Sequence, residues 1–164
     1  MEVMIDIETL GVGTEPVIFQ IGWCLFSTEE DETVVGCVDL SIAEQIIRGR
    51  TIDDHTVAWW RSRKRMTSGG VNSTKAALER LASVIQPGDT IWAGPAHFDI
   101  PRLESLFRMF EVEVPWKYTQ VRCSRTIRKW FGDRQDLEND HHAGRDAENQ
   151  AKTLKERMNR ARED

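Results

Sequence analysis

Cysteine is scarce in this chain, and the three cysteines present, Cys24, Cys37 and Cys123, stand far apart. No two of them form a C-x-x-C pair, and their number is odd. These features argue against a zinc site and against a disulfide framework. A reducing cytoplasm is the simplest compartment for such a protein.

Long apolar runs are also missing. No stretch of eighteen or more apolar residues occurs, so no membrane span is expected. Residues 1–9 place Asp6 and Glu8 inside an apolar stretch, which is not the pattern of a signal peptide. Repeats, low-complexity tracts and linker-like segments are absent as well. The 164 residues are therefore expected to form one domain, 1–164, with a sizeable core.

An excess of positive charge is the third feature that the chain lacks. Its formal net charge is −5, which is not typical of a protein that coats nucleic acid electrostatically. A nucleic-acid enzyme is still compatible with this charge, because a carboxylate cluster that binds cations makes the bare chain more negative.

The apolar pattern predicts an antiparallel meander of three strands, over residues 2–8, 17–27 and 33–39. Another short buried strand is predicted at 90–93, where Gly94 and Pro95 end it. Helical periodicity and capping residues predict helices over residues 41–47, 56–65, 73–86, 99–110, 121–131 and 143–160. Polar loops are expected at 67–70 and 132–139. This order indicates an α/β fold in which helices cover both faces of one mixed sheet.

Two carboxylates stand two residues apart in the first predicted strand. Residues i and i+2 of a strand face the same way, so Asp6 and Glu8 are expected to project side by side. Unpaired anions on a buried strand are costly, and metal cations would relieve that cost. The alternative is an exposed polar face, which is the commoner meaning of an isolated D-x-E.

Two further acids lie near predicted helix starts. Asp99 follows the strand at 90–93, where it could simply cap the next helix. Asp146 falls in the first turn of the last helix, where an acid interacts favourably with the helix dipole. His141 and His142 precede that helix and could be ordinary loop residues.

Taken together, these residues resemble the three motifs of the DEDD exonucleases. The first motif is Asp6-Ile7-Glu8-Thr9-Leu10-Gly11, the second supplies Asp99, and the third reads H-x-A-x-x-D from His141 to Asp146. A histidine five residues before the last aspartate is typical of the DEDDh branch. The segments 56–60 and 146–151 are similar to a compact phage and bacterial group that includes exonuclease VIII and a small exoribonuclease family. Relatives often carry Gly-Asn-Gly-Ala before the middle motif, where this chain differs at 94–97.

The resemblance implies a ribonuclease H-like fold, with a mixed five-stranded sheet flanked by helices. It also implies a 3′–5′ exonuclease that releases nucleoside 5′-monophosphates from single-stranded RNA or DNA. The ligands of two Mg²⁺ or Mn²⁺ ions would be Asp6, Glu8, Asp99 and Asp146. Such oxygen-rich sites suit these hard cations, and a pair of ions can assist phosphodiester hydrolysis. His141 would be the general base, since an imidazole titrates near neutral pH.

The same resemblance assigns the terminal nucleotide to the backbone of Thr9 and the side chain of Leu10. Ordinary core packing is the alternative for Leu10, because leucine is usually buried. Arg122 and Arg125 are the leading candidates for phosphate contacts. They belong to a basic stretch that also contains Lys117, Arg128, Lys129 and Arg134, and a second basic run contains Arg61, Arg63, Lys64 and Arg65. Either stretch could instead be a solvated helix face.

The tryptophans suggest stacking platforms for bases, although tryptophan is more often buried in a core or an interface. The candidates are Trp59, Trp60, Trp116 and Trp130. The many tryptophans and exposed apolar surface also suggest a homodimer.

Two other functions stay open: a non-catalytic nucleic-acid-binding module on the same fold, and a ribonuclease H-like endonuclease. The sequence does not choose between RNA and DNA.

Overall fold

A computed structural model describes residues 1–63, 72–131 and 141–163. The loops expected at 67–70 and 132–139 lie outside these residues, as do Lys64, Arg65 and Arg134.

Within the described residues, five strands form one mixed sheet. The strands are β1 (Glu2–Thr9), β2 (Ile18–Phe26), β3 (Thr33–Asp39), β4 (Thr90–Ala93) and β5 (Val121–Cys123). Their order across the sheet is β3-β2-β1-β4-β5. The first three strands pair antiparallel, whereas β4 is parallel to β1 and β5 is parallel to β4. The α/β class and the mixed five-stranded sheet are therefore confirmed, and the topology is consistent with a ribonuclease H-like fold.

Helices flank the sheet. They are α1 (Ile42–Ile47), α2 (Asp54–Ser62), α3 (Thr74–Val84), α4 (Ala96–Met109), α5 (Ser124–Trp130) and α6 (Ala143–Glu163). A 3-10 turn over Tyr118–Gln120 precedes β5. No helix in the described ranges is long and apolar enough to span a bilayer.

The central strand β1 divides its side chains between the two faces of the sheet, as the strand period of two requires. Val3, Ile5 and Ile7 pack in the main core, to which α3 and α4 contribute buried leucines. Met4 packs on the opposite face, in a second cluster that contains Ala147 of α6. The even-numbered residues of β1 therefore face α6.

Several predicted boundaries were wrong. Residues 121–123 are a strand rather than the start of a helix, because Val121 pairs with Ile91 at the edge of the sheet. A strand of three residues is too short to show an alternating pattern. Helix α2 begins two residues early, since the Asp53 carboxylate caps it by accepting from the backbone N–H of Thr56 at 2.8 Å. Helix α4 begins at 96, so Asp99 lies in its first turn and does not cap it.

Candidate active site

The two carboxylates of the first motif lie on the α6 face of the sheet. Asp6 and Glu8 are 9% and 8% exposed, so the exposed polar face considered for this pair is wrong. Asp6 stands opposite Gly22 of β2, and Glu8 stands opposite Gln20. The regular register then shifts between Glu8 and Thr9. Irregularities of this kind often lie beside active sites, where they redirect the chain.

A glycine lets the last helix begin directly on top of the sheet. A Cβ atom at Gly22 would lie 2.0 Å from the carbonyl carbon of Ala143, so no side chain fits there. The buried Gln20 side chain accepts from the N–H of Ala143 at 2.8 Å and donates to Asp39 Oδ1 at 2.7 Å. These contacts place the first turn of α6, which carries Asp146, over the carboxylates of β1.

The third motif therefore meets the first in space. One ligand atom each from Glu8, His141 and Asp146 lies within 4.8 Å of the other two. Asp146 is 2% exposed, and its amide donates to the carbonyl of His142 at 2.9 Å within the helix start. Such a group could hold a metal ion.

Asp99 reaches the same site from α4. Its carboxylate is buried and accepts a hydrogen bond from the backbone N–H of Gly94. Burial raises the pKa of Asp99 well above its usual range, and the negative charge of Asp6 raises it further. The positive charges of Arg102 and Arg125 act in the opposite direction. The segment 94–97 thus contributes directly to the placement of Asp99.

Asp6 interacts electrostatically with both other aspartates, Asp99 and Asp146. Burial, followed by the charge of Asp146, raises the pKa of Asp6 to about 7. The side chain of Gln150 opposes this rise by donating to Asp6 Oδ1 at 2.8 Å. The charge of Asp6 in turn raises the pKa of Asp99. The four predicted acids and His141 therefore belong to one site.

These residues fit divalent cations. Asp99 Oδ2 is buried and accepts no hydrogen bond from the described parts of the chain. Buried carboxylates that raise one another's pKa need compensating positive charge before all of them can ionise. The carboxylates supply the hard oxygen ligands that Mg²⁺ and Mn²⁺ prefer.

His141 contacts two indole rings of α2. Its ring centroid lies 4.6 Å from that of Trp59 and 5.8 Å from that of Trp60, and both contacts are nearly perpendicular. Trp60 is buried, and its Nε1 donates to the carbonyl oxygen of Thr9 at 2.9 Å. Helix α2 is thereby tied both to the end of β1 and to the histidine.

A cleft of about 610 Å³ opens beside these residues. Residues of the first motif, including Glu8 and Thr9, line it together with apolar and aromatic side chains. Its lining consists of Ile7, Glu8, Thr9, Val12, Asp53, His55, Thr56, Trp59, Trp60 and Phe98. Arg102 holds two sides of this cleft together, because its guanidinium donates to the carbonyls of Phe98 and Val12 and lies 3.7 Å from the centroid of the Phe98 ring.

The residues predicted to bind substrate differ in their positions. Thr9 lines the cleft, whereas Leu10 is 2% exposed and packs in a cluster with Trp60, in line with its core-packing alternative. Arg125 is exposed, and its positive charge opposes the rise in the pKa of Asp99. Arg122 is exposed on β5 and donates to carbonyl oxygens of its own segment.

The four tryptophans considered as stacking platforms separate into two pairs. Trp60 and Trp116 are buried, as tryptophans usually are, whereas Trp59 is 37% and Trp130 83% exposed. Of these two exposed rings, Trp59 lines the cleft.

Several residues of the site had no predicted role. Gln20, Gln150 and His55 are among them, because a glutamine or a lone histidine carries no motif of its own. Gly22 had a usable signal, since a glycine inside a strongly apolar strand often marks a close backbone approach.

Comparison with known proteins gives a family for this chain. No curated protein matches it. The family model described as the 3′–5′ exoribonuclease Rv2179c-like domain matches residues 1–158, which is nearly the whole sequence. The chain therefore belongs to the Rv2179c-like family of 3′–5′ exoribonuclease domains.

Proposed function

We propose that this protein is a metal-dependent 3′–5′ exonuclease of the DEDDh type that removes nucleoside 5′-monophosphates from single-stranded RNA. The observation that carries the proposal is the convergence of four buried acids and one imidazole beside an aromatic cleft. The family description favours RNA over DNA. Single-stranded DNA is the second candidate substrate.

Asp6, Glu8, Asp99 and Asp146 would hold two Mg²⁺ or Mn²⁺ ions. The electrostatic interactions of Asp6 with Asp99 and with Asp146 support a shared role for these acids. When bound, the cations would lower the pKa of the attacking water and stabilise the charge that develops on the leaving oxygen.

The protein side chains supply the remaining steps. The cleft would receive the terminal base between Trp59 and the wall formed by Val12 and Phe98. Arg125 would contact a phosphate, and its exposure and its electrostatic effect on Asp99 support this role. His141 would accept the proton of the attacking water, as a general base with a ring nitrogen beside the acids. The water oxygen then bonds to phosphorus, the P–O3′ bond breaks, and O3′ takes a proton from solvent.

The direct test uses a 5′-labelled RNA oligonucleotide with Mg²⁺ or Mn²⁺, with and without a chelator. We expect a ladder of one-nucleotide steps that the chelator abolishes. Asp6→Ala, purified in the same way, should be folded and inactive, which controls for contaminating nuclease. Full activity of that variant would rule out the proposed site, and internal cuts would favour the endonuclease alternative. Binding without cleavage would favour the non-catalytic module.

A DNA oligonucleotide of the same sequence distinguishes the two substrates. We expect faster cleavage of RNA, and equal rates would remove the preference. The cytoplasmic location and the homodimer stay predictions, and sedimentation of the purified protein tests the latter.

A further inference from the structure

We propose that Trp59 is a positioning residue that couples occupancy of the cleft to the placement of His141. Its indole contacts the histidine and also forms a wall of the cleft. The inference rests on the proposed function, because it takes His141 as the base and the cleft as the site of the terminal nucleotide.

The ring contacts carry the first step. Trp59 and His141 have centroids 4.6 Å apart and an interplanar angle of 84°, and the Trp59–Trp60 pair has values of 4.9 Å and 83°. Perpendicular aromatic pairs at such distances are favourable by about 0.5–1.5 kcal/mol beyond their buried area. The three rings therefore restrain one another.

The two indoles differ in how firmly they are held. Trp60 is 2% exposed, donates to the Thr9 carbonyl and packs against Phe19 with centroids 5.0 Å apart. Trp59 is 37% exposed, and the guanidinium of Arg63 lies 4.3 Å from its ring centroid. Trp60 is thus held more firmly, whereas Trp59 offers a ligand the larger exposed surface.

The backbone of His141 adopts an uncommon conformation. Its φ is 55°, in the left-handed region, and the residue precedes the first residue of α6 by two positions. A residue in this conformation depends on its surroundings to hold it. A base stacked on the exposed part of Trp59 would fix the indole and, through the edge contact, the imidazole.

This arrangement predicts a specific kinetic signature. Trp59→Ala should raise KM because the cleft loses a wall. It should lower kcat about tenfold because His141 loses its ring contact with Trp59, although the contact with Trp60 remains. The two effects have different causes, and only the effect on kcat requires His141.

A double-mutant cycle separates them. In the His141→Ala background, Trp59→Ala should leave kcat unchanged within about twofold and still raise KM, since the histidine through which it acts is gone. If the two kcat losses multiply instead, or if Trp59→Ala alone leaves kcat unchanged, the coupling is wrong. Trp59→Phe, which keeps an aromatic edge, should restore most of kcat. Ile47→Ala, at an exposed position that does not line the cleft, is the control.

A second measurement needs no turnover. The imidazole resonances of His141, assigned by their loss in His141→Ala, should shift when adenosine 5′-monophosphate is added to the wild type. They should shift much less in Trp59→Leu. This variant keeps an apolar side chain at position 59, so it can be used even if the alanine variant is unstable. Equal shifts in both proteins would overturn the inference. An inactive wild type would instead defeat the proposed function, and the resonance shifts would still decide the coupling.

Discussion

The Nε2 amide of Gln150 donates a hydrogen bond to Oδ1 of Asp6 over 2.8 Å, and so joins α6 to the central strand of the sheet. The other carboxylate oxygen of Asp6, Oδ2, receives no hydrogen bond from this amide. It also favours the ionised carboxylate, against the burial that raises the pKa. Gln150 thus orients a predicted metal ligand from four residues beyond Asp146.

Replacing Gln150 by alanine should weaken metal binding. The Asp6 carboxylate would lose both its orientation and a group that favours its charge. Partners that orient metal ligands typically contribute about 10–100-fold to affinity. A Mn²⁺ titration of activity, or calorimetry, measures the change. The adjacent Asn149→Ala is a matched control, and equal Mn²⁺ affinities for the wild type and Gln150→Ala would contradict the assigned role.

Asp6→Asn should stabilise the metal-free fold at high pH. The pKa of Asp6 is about 7 in the folded protein and 3.8 in the reference state, so the folded state holds its proton more tightly. The wild type therefore loses stability as pH rises through this window, and the loss is complete above about 7. An asparagine does not titrate and can still accept from Gln150.

Thermal melts in chelator at pH 5 and pH 8 test this expectation. The gain in Tm of Asp6→Asn over the wild type should be larger at pH 8 than at pH 5. Added Mn²⁺ should raise the Tm of the wild type more than that of the variant, because the variant lacks a ligand. Gains of equal size at both pH values would show that the carboxylate of Asp6 does not carry the proposed burial cost.

Gly22→Ala should disturb the site and the fold together. Its Cβ would overlap the backbone of Ala143 at 2.0 Å, so the start of α6 must move away from the sheet. Overpacking of this kind costs about 1–3 kcal/mol, and the shift should also separate Asp146 from the acids of β1. Gly13→Ala is the control, because nothing lies within 4 Å of its added Cβ. A Gly22→Ala protein with wild-type Tm and activity would refute the close approach.

His141→Ala should retain metal binding and lose most turnover. General bases contribute about 10²–10⁴-fold, and the four carboxylates stay in place without the imidazole. Mn²⁺ affinity and kcat are measured on the same preparation. A large loss of affinity would instead assign His141 as a ligand, which its distance to Glu8 and Asp146 also allows. A pH–rate profile identical to that of the wild type would remove it as the base.

The four acids could be anticipated as one set through the family resemblance, and local patterns supported part of it. The two-residue period of β1 puts Asp6 and Glu8 on one face, and the spacing from His141 to Asp146 fits the end of a loop and the first turn of a helix. Contacts between segments that are far apart in the sequence could not be predicted in this way. The contact of Trp59 with His141 depends on how α2 folds against the end of β1, which no local period encodes.

Short elements were also beyond the sequence. The strand at Val121–Cys123 exists because β4 offers it a parallel edge, whereas its own residues are compatible with a helix. The number of strands came from the family resemblance, since the local pattern alone indicated four.

The alternation of side chains along β1 determines both which residues enter the core and where the acids of the site point. Its odd positions build the core with α3 and α4, and its even positions carry Asp6 and Glu8 toward α6. If the start of the strand keeps its register, deleting or inserting a single residue before Asp6 would turn Asp6 and Glu8 into the apolar layer and Ile7 toward α6. The length of this strand is therefore as strictly constrained as the identity of the acids, and no compensating substitution at one position could restore it.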